Sequence, residues 1–257
     1  MKLLVGILSL SAIIASNSAC CCEFDDYSFY INVNTGVSSA DSAHVVACCP
    51  PWSQATQGYN ARLGKCPIAG FSVGCEWMHV VDFEVGIFNR SLFKYRKCQS
   101  SAIGNGSYTR KFDLDVTSIL FSANFLGRSF ACFSREVYCG KLYPIIGAGI
   151  GASNLLITNY RTTGLPPTGD SAPYASFSAE NEHTLRRHVT YTFLVGLEYS
   201  CGDRWAIGTG YRWFNAGHFK GPRYQRVASG AAVDVASAQW KMRLRADEWF
   251  IALKIFI

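Results

Sequence analysis

The sequence predicts an all-β fold: an eight-stranded antiparallel up-and-down transmembrane β-barrel with four long outer loops and short periplasmic turns. Three observations lead to it. Apolar residues alternate with small or polar ones over eight segments, which is the period of a β-strand. Long and short intervals alternate between these segments. The chain of 257 residues is 49% hydrophobic and only 16% charged, below the roughly 25% charge of a typical soluble domain.

The amino terminus predicts export from the cytoplasm. Residues 1–19 combine a positive charge at Lys2, an apolar stretch and small residues before Cys20, the pattern of a cleaved signal peptide. We expect residues 20–257 to form the barrel domain. Lipidation of Cys20 stays open, although Asn17 stands where a lipidation signal normally has Leu. No later stretch reaches the about 18 apolar residues of a membrane-spanning helix, so a helical membrane protein is excluded.

The period-two pattern is clearest in Val189–Ser200 and in the last ten residues of the chain. A change of phase near Thr117 predicts a β-bulge in its strand. The remaining predicted strands are Tyr27–Gly36, Pro67–Trp77, His79–Phe88, Phe112–Phe125, Leu142–Ser153 and Arg204–Phe214.

The intervals after the first, third, fifth and seventh strands are long, and the others are shorter. This alternation places large loops at one end and tight turns at the other, as in outer-membrane barrels. A soluble secreted β-barrel binding protein is the alternative, because the sequence alone does not say which face of each strand points outward. Seven aromatic residues near strand ends favour a membrane, where they would form interfacial girdles: Tyr27, Trp77, Tyr143, Tyr199, Trp205, Trp213 and Trp249.

Three segments resemble the fifth, penultimate and final strands of small outer-membrane β-barrels of the outer-membrane-protein-A and bacterial surface-antigen type: Tyr143–Ser153, Trp205–Phe214 and Trp249–Ile257. The resemblance implies a bacterial outer-membrane location and contact with the barrel-insertion machinery. In that family the carboxyl-terminal assembly signal ordinarily ends in an aromatic residue, whereas this chain ends in Ile. We therefore expect a variant assembly signal formed by Trp249, Ile251, Leu253, Ile255 and Ile257.

Six charged residues are expected inside the barrel, where they must pair or be hydrated. An internal salt-bridge network that closes the barrel is the favoured interpretation, because eight strands leave little lumen. A small porin or ion-conducting channel is the alternative. The six residues are Asp82, Glu84, Glu198, Arg212, Glu248 and Lys254.

Much of the positive charge falls in the second and fourth predicted loops, residues 89–111 and 215–246. Such loops would attract lipopolysaccharide phosphates or anionic host polysaccharide. The net charge of +6 is too mild to imply nucleic-acid binding. The candidate polyanion-binding residues are Arg90, Lys94, Arg96, Lys97, Arg110, Lys111, Lys220, Arg223, Arg226, Lys241, Arg243 and Arg245.

Enzyme activity, a cofactor and a metal site are not expected, since none of the five histidines lies in a compact motif with Ser and a carboxylate. The 11 cysteines favour an oxidising compartment. Cys132 and Cys139 are the first disulfide candidates, and an odd total leaves at least one cysteine for lipid or for neighbouring envelope proteins. The sequence thus predicts an outer-membrane structural or surface-interaction protein.

Overall fold

A computed structural model describes the barrel and part of its outer connections. The residues described are 27–40, 43–45, 59–61, 63–100, 107–130, 132–138, 140–165, 177–178, 182–184, 189–201, 204–221, 224–226, 232–234 and 241–257. The predicted signal peptide and Cys20 lie outside them, as do Cys139 and Arg223. Within this part of the chain, no helix is long and apolar enough to cross a membrane.

Eight long strands form the barrel, as the sequence predicted. They are β1 (Tyr27–Ala40), β2 (Gly64–Trp77), β3 (Val81–Ser100), β4 (Ser107–Leu126), β5 (Gly140–Leu165), β6 (Val189–Cys201), β7 (Trp205–Lys220) and β8 (Lys241–Phe256). Each strand pairs antiparallel with its neighbours in sequence, and β8 pairs with β1. The sheet is therefore closed, and closure leaves the barrel without an unpaired edge.

Shorter elements accompany the barrel at both ends. On the periplasmic side a 3-10 turn, Gly127–Ser129, and a short strand, Arg135–Val137, lie between β4 and β5. On the outer side the short strands are Ala43–Val45, Tyr59–Ala61, Phe177–Ser178, Glu182–Thr184, Tyr224–Arg226 and Ala232–Asp234.

The lower part of the barrel exposes a continuous apolar belt. Trp249 and Ile251 on β8 are 66% and 59% exposed, and the belt continues around the sheet. So much exposed apolar surface would be unstable in water, whereas lipid covers it. The chain is an outer-membrane β-barrel. Outward members of the belt on β1, β4 and β8 include Phe29, Val33, Val37, Ile119, Phe121, Phe125, Leu253 and Ile255.

Most of the predicted girdle aromatics face outward, but Tyr143 does not. Tyr27, Trp77, Trp205 and Trp249 are exposed on the outside of the barrel. Tyr143 is completely buried in the lumen, where its hydroxyl donates to Glu198 at 2.7 Å. Its position near a strand end did not show that its side chain points inward. The direction follows from the parity of β5, whose odd-numbered residues point inward there.

On the outer side the strands rise well above this belt. Strands β3, β4 and β5 extend through most of residues 89–111 and through 154–165, which the sequence analysis had assigned to loops. We call the barrel wall above the Asn89, Thr117 and Asn154 row the extension; these three residues are paired in register on β3, β4 and β5.

The bulge predicted near Thr117 does not lie in β4 itself but on the neighbouring strand β3, whose register shifts between Arg90, opposite Val116, and Phe93, opposite Leu114. The pairing of β4 with β5 runs without interruption from Asp113 to Leu126. What changes at Thr117 is polarity: below it Ile119 and Phe121 face outward, and above it Leu114 and Val116 are buried inside. The phase change in the sequence thus marks the height at which the strand leaves the membrane. Another register shift occurs higher, between Lys111 and Asp113.

The inside of the extension is an apolar core. Phe112 stacks on Tyr95 at a ring-centroid distance of 4.7 Å and on Tyr160 at 6.4 Å. This cluster closes the upper end of the barrel with side chains from most of its strands. The other members are Ala40, Leu63, Cys66, Phe93, Leu114, Val116, Leu155, Ile157, Phe214, Ala216, Phe219, Met242, Leu244 and Ala246.

Candidate functional site

The lumen below the apolar core contains layers of charged side chains. The lower layer is centred on Lys254, whose Nζ lies 2.7 Å from Asp82 Oδ2 and 2.9 Å from Glu198 Oε2. Asn124 donates to Asp82 at 2.6 Å, and Tyr143 donates to Glu198. One buried cation is thus shared by two carboxylates, each of which accepts a further hydrogen bond. Such saturation is needed for buried ion pairs to be stable.

Glu84 lies in the same lower layer but has a different kind of partner. Its carboxylate accepts hydrogen bonds from Asn32 Nδ2 at 2.9 Å and from the Tyr30 hydroxyl at 3.4 Å. The part of the chain that the structure describes places no cation within salt-bridge distance of it. Glu84 is therefore held by neutral donors.

The upper layer is centred on Glu248. Arg90 binds it with two atoms, Nε at 2.5 Å and one terminal nitrogen at 3.1 Å, and Ser38 donates to it at 3.0 Å. Arg212 lies 3.8 Å from the same carboxylate. A bidentate pair of this kind combines charge with fixed geometry.

Hydroxyl groups continue this layer around the barrel. The second terminal nitrogen of Arg90 donates to Ser118 at 3.1 Å, and hydroxyl contacts of 2.7 Å connect Ser118 to Ser153 and Ser153 to Thr190. With Ser38, Arg212 and Glu248, the layer takes a polar side chain from every strand except β2. It therefore spans the cross-section of the barrel.

Arg90 requires a correction. Its place in the second predicted loop made it a candidate for polyanion binding, but it lies inside the barrel and is fully buried. Its guanidinium also stacks on the ring of Phe214 at 3.6 Å from the centroid. The six charged residues predicted for the interior are all placed inside and buried.

A third charged group closes the periplasmic end, and the sequence analysis did not identify it. Buried Glu76 lies 2.8 Å from His79 Nδ1 and 3.6 Å from a terminal nitrogen of Arg128. Between the lower and upper layers a cavity of about 20 Å³ remains, with Glu84 and Arg212 among its lining residues. That volume is comparable with one water molecule.

The outside of the extension carries a second feature, a row of basic residues across neighbouring strands. Arg96 on β3 is directly opposite Lys111 on β4, and Lys111 is directly opposite Arg161 on β5. All three side chains are exposed. We call these residues the cationic row. The pairing continues by backbone register from Arg161 to Ser178 and from Ser178 to Arg226.

A depression beside the cationic row is built on the register shift between Lys111 and Asp113. Asp113 accepts a hydrogen bond from Asn159 Nδ2 at 2.8 Å, and a terminal nitrogen of Arg96 lies 3.8 Å from the same carboxylate. Asn159 has a φ of 53°, a left-handed conformation that Asn adopts more readily than most residues. This backbone kink brings Asp113 and Asn159 next to Arg161, a residue that the predicted set did not include.

Four of the other predicted basic residues form a separate face on β7 and β8. Lys220 is directly opposite Lys241, and Arg243 and Arg245 follow on the outward side of β8. The Nε atoms of Arg243 and Arg245 are buried without a hydrogen-bond partner among the described residues. Lys94 is exposed below the cationic row, opposite Asp113. Lys97 and Arg110 are paired in register one residue above the cationic row.

The cysteines have different environments. Cys66 belongs to the apolar core of the extension, where burial raises the pKa of its thiol to about 12. Cys132 is exposed on the periplasmic side. Its expected partner, Cys139, lies outside the described residues, so the disulfide stays a prediction.

Comparison with known proteins gives structural matches only. No protein-family model matches the chain, and no curated protein matches it in sequence. The solved structures that resemble it include Neisserial surface protein A, which is 14% identical, with a TM-score of 0.41 and coverage of 88% of this chain and 96% of that one. The outer-membrane protease OmpT from Escherichia coli is 6% identical, with a TM-score of 0.45 and coverage of 93% and 99%.

A third match is Ail, the attachment invasion locus protein of Yersinia pestis, in complex with the heparin analogue sucrose octasulfate. It is 10% identical, with a TM-score of 0.32 and coverage of 88% of this chain and 99% of that one. At these identities and TM-scores, no ligand or activity is transferred to this chain.

Proposed function

We propose that the protein is a closed surface-interaction barrel that binds anionic polysaccharide through the cationic row of Arg96, Lys111 and Arg161. The observation that carries the proposal is the direct opposition of like charges on three adjacent strands. Side chains at directly opposed positions have Cβ atoms about 5 Å apart, and like charges there destabilise the sheet. An anionic ligand that bridges the three side chains would turn this repulsion into attraction.

The described acidic residues near the row offset only part of its positive charge. Asp113 is opposite Lys94 and close to Arg96, while Lys111 and Arg161 have no acid opposite them in the sheet. Two guanidinium groups flank one ammonium group, and a guanidinium binds sulfate or phosphate oxygens in a bidentate manner. The row is thus suited to a chain of closely spaced sulfate or phosphate groups.

The height of the row favours a polysaccharide over a lipid headgroup. Lys111 lies six positions along β4 from Thr117 at the membrane boundary, which is about 20 Å of strand at ~3.3 Å per residue. A tilt of about 40° reduces this to about 15 Å along the membrane normal. The headgroup layer extends only about 5–7 Å beyond the hydrocarbon core on each side, so the row lies at the level of surface sugars.

Heparin binding to the protein in lipid nanodiscs tests the proposal, because both ends of the barrel are accessible there. The test variant is Arg96→Gln/Lys111→Gln/Arg161→Gln, and fluorescence anisotropy of labelled heparin gives the affinity. We expect a loss of about 10-fold, since three exposed charges at about 0.5 kcal/mol each amount to about 1.5 kcal/mol. Wild-type binding should also weaken between low and high salt, because ions screen exposed charges.

A matched control removes the same charge from the other end of the barrel. Arg135→Gln/Lys141→Gln/Arg204→Gln changes three exposed cations on the periplasmic side and should leave heparin affinity within about 2-fold of wild type. An equal loss in the two triple variants would mean that net charge alone attracts heparin. That result, or a wild type that fails to bind heparin at low salt, would refute the proposal.

A further inference from the structure

The connection between β4 and β5 continues the barrel wall on the periplasmic side. Strand β4 ends opposite Ile145 of β5. Below that point the short strand Arg135–Val137 takes its place, with Val137 opposite Gly140 and Arg135 opposite Leu142. The connection is therefore fixed against β5 rather than suspended below the barrel.

Tyr199 holds this short strand from the outside of the barrel. Its hydroxyl donates to the carbonyl oxygen of Val137 at 3.3 Å. The ring passes so close to Gly140 that a Cβ there would lie 2.6 Å from it. Glycine at position 140 thus lets an outward-facing aromatic side chain of β6 reach across β5 to the short strand.

A chain of aromatic rings leads from the lipid-facing belt into the connection. Phe125 belongs to the belt, and its ring centroid lies 5.5 Å from that of Phe130. Phe130 in turn contacts Phe133 edge to face at 6.3 Å. Phe133 is 57% exposed and Tyr138 is fully exposed. Each Å² of apolar ring surface that stays in contact with water instead of being buried costs about 25 cal/mol of free energy.

We propose that this connection, residues 127–130 and 132–138, is an interfacial anchor that inserts Phe130, Phe133 and Tyr138 among the phospholipids of the periplasmic leaflet. The lipid is the proposed occupant because Phe130 and Phe133 continue the belt that lipid already covers, and Tyr138 is exposed in the same connection. Tyrosine suits the headgroup level, since its ring is apolar and its hydroxyl is polar. The anchor is independent of polyanion binding, because it lies at the opposite end of the barrel.

Quenching of a tryptophan reporter by brominated phospholipid tests the anchor. The reporter is Phe133→Trp in liposomes of purified protein, and its signal is the difference from wild type, since the chain has 6 tryptophans of its own. We expect brominated lipid to remove about half or more of the reporter signal, because a ring at the interface contacts acyl chains. Aqueous iodide should quench it little.

Glu136→Trp is the matched control in the same connection, on its short strand. Glu136 is exposed and opposite Lys141, which has the inward parity of Tyr143. A tryptophan there should respond to iodide and not to brominated lipid. Equal iodide quenching at the two positions would refute the anchor. Protection of Phe133→Trp that disappears when the protein is diluted into excess lipid would refute it too, because a second copy of the chain would then be the covering partner.

Discussion

The two halves of this barrel use the same strands with opposite polarity. In the lipid-embedded half, β4 points Ile119 and Phe121 outward and Ser118 inward. In the extension it points Asp113 and Asp115 outward and Leu114 and Val116 inward. The alternation of sides along β4 is continuous through both halves, whereas β3 changes parity at its register shift between Arg90 and Phe93. The medium outside the wall therefore decides which set of positions is apolar, while the backbone remains the same.

This inversion gives each half its own means of filling the interior. The extension packs apolar side chains, as a soluble barrel does. The lipid-embedded half has the polar side chains inside, so its stability depends on pairing every buried charge. The ion pair of Arg90 and Glu248 lies between the apolar interior and the polar interior. Arg90 also donates to the Ser118 hydroxyl, directly below the apolar core.

Breaking this junction, the ion pair of Arg90 and Glu248, should have the largest effect on the free energy of unfolding. Arg90→Met leaves Glu248 buried with only Ser38 and a more distant Arg212 as partners. Removing one partner of a buried pair costs about 3–5 kcal/mol of unfolding free energy. Urea unfolding in phospholipid vesicles, followed by the gel mobility of unboiled samples, measures this cost.

The double variant Arg90→Met/Glu248→Met provides the control. It removes both charges and keeps the volume, so it should regain most of the stability lost in the single variant. If the double variant is as unstable as the sum of the two single variants, the pair is not coupled. The interpretation of the junction as an ion-pair layer would then be wrong.

Lysine substitutions at two heights should separate the halves more directly. Phe121→Lys places a charge in the lipid-facing belt and should cost about 2–4 kcal/mol. Leu156→Lys places the same charge on the outside of the extension, opposite Asp115, where surface changes are usually within about 0.5 kcal/mol. The same urea titration compares them. Equal costs would show that lipid reaches the extension and that the assigned boundary is too low.

The sequence was sufficient to predict the eight strands of the lipid-embedded half. The outward residues of these strands contact lipid, so every second position is apolar. It was insufficient for the extension. There the apolar positions of β4 move to the other parity. On β3 a register shift turns Phe93 and Tyr95 inward, and their basic neighbours Lys94 and Arg96 gave a typical loop composition. The same change of parity at Thr117 was visible in the sequence and was interpreted as a bulge.

The interior charges could be predicted because parity alone assigns Asp82, Glu84 and Glu198 to the lumen. Arg90 could not be separated from the basic residues of the predicted loop, since its partner, Glu248, is 158 positions away. Arg161 was missed because its contribution to the cationic row depends on the register of β5 against β4. Register across distant strands leaves no local signal in the chain.

The smallest expected effect tests the height at which the hydrocarbon layer ends. Asn89→Lys places a charge at the row of Asn89, Thr117 and Asn154, one pair above the apolar Ile87 and Ile119. A lysine near the interface costs about 0–1 kcal/mol, because its ammonium group reaches the headgroups. A cost equal to that of Phe121→Lys would move the hydrocarbon edge above this row. The cationic row would then lie nearer the headgroup phosphates, and its height would no longer favour a polysaccharide over a lipid headgroup.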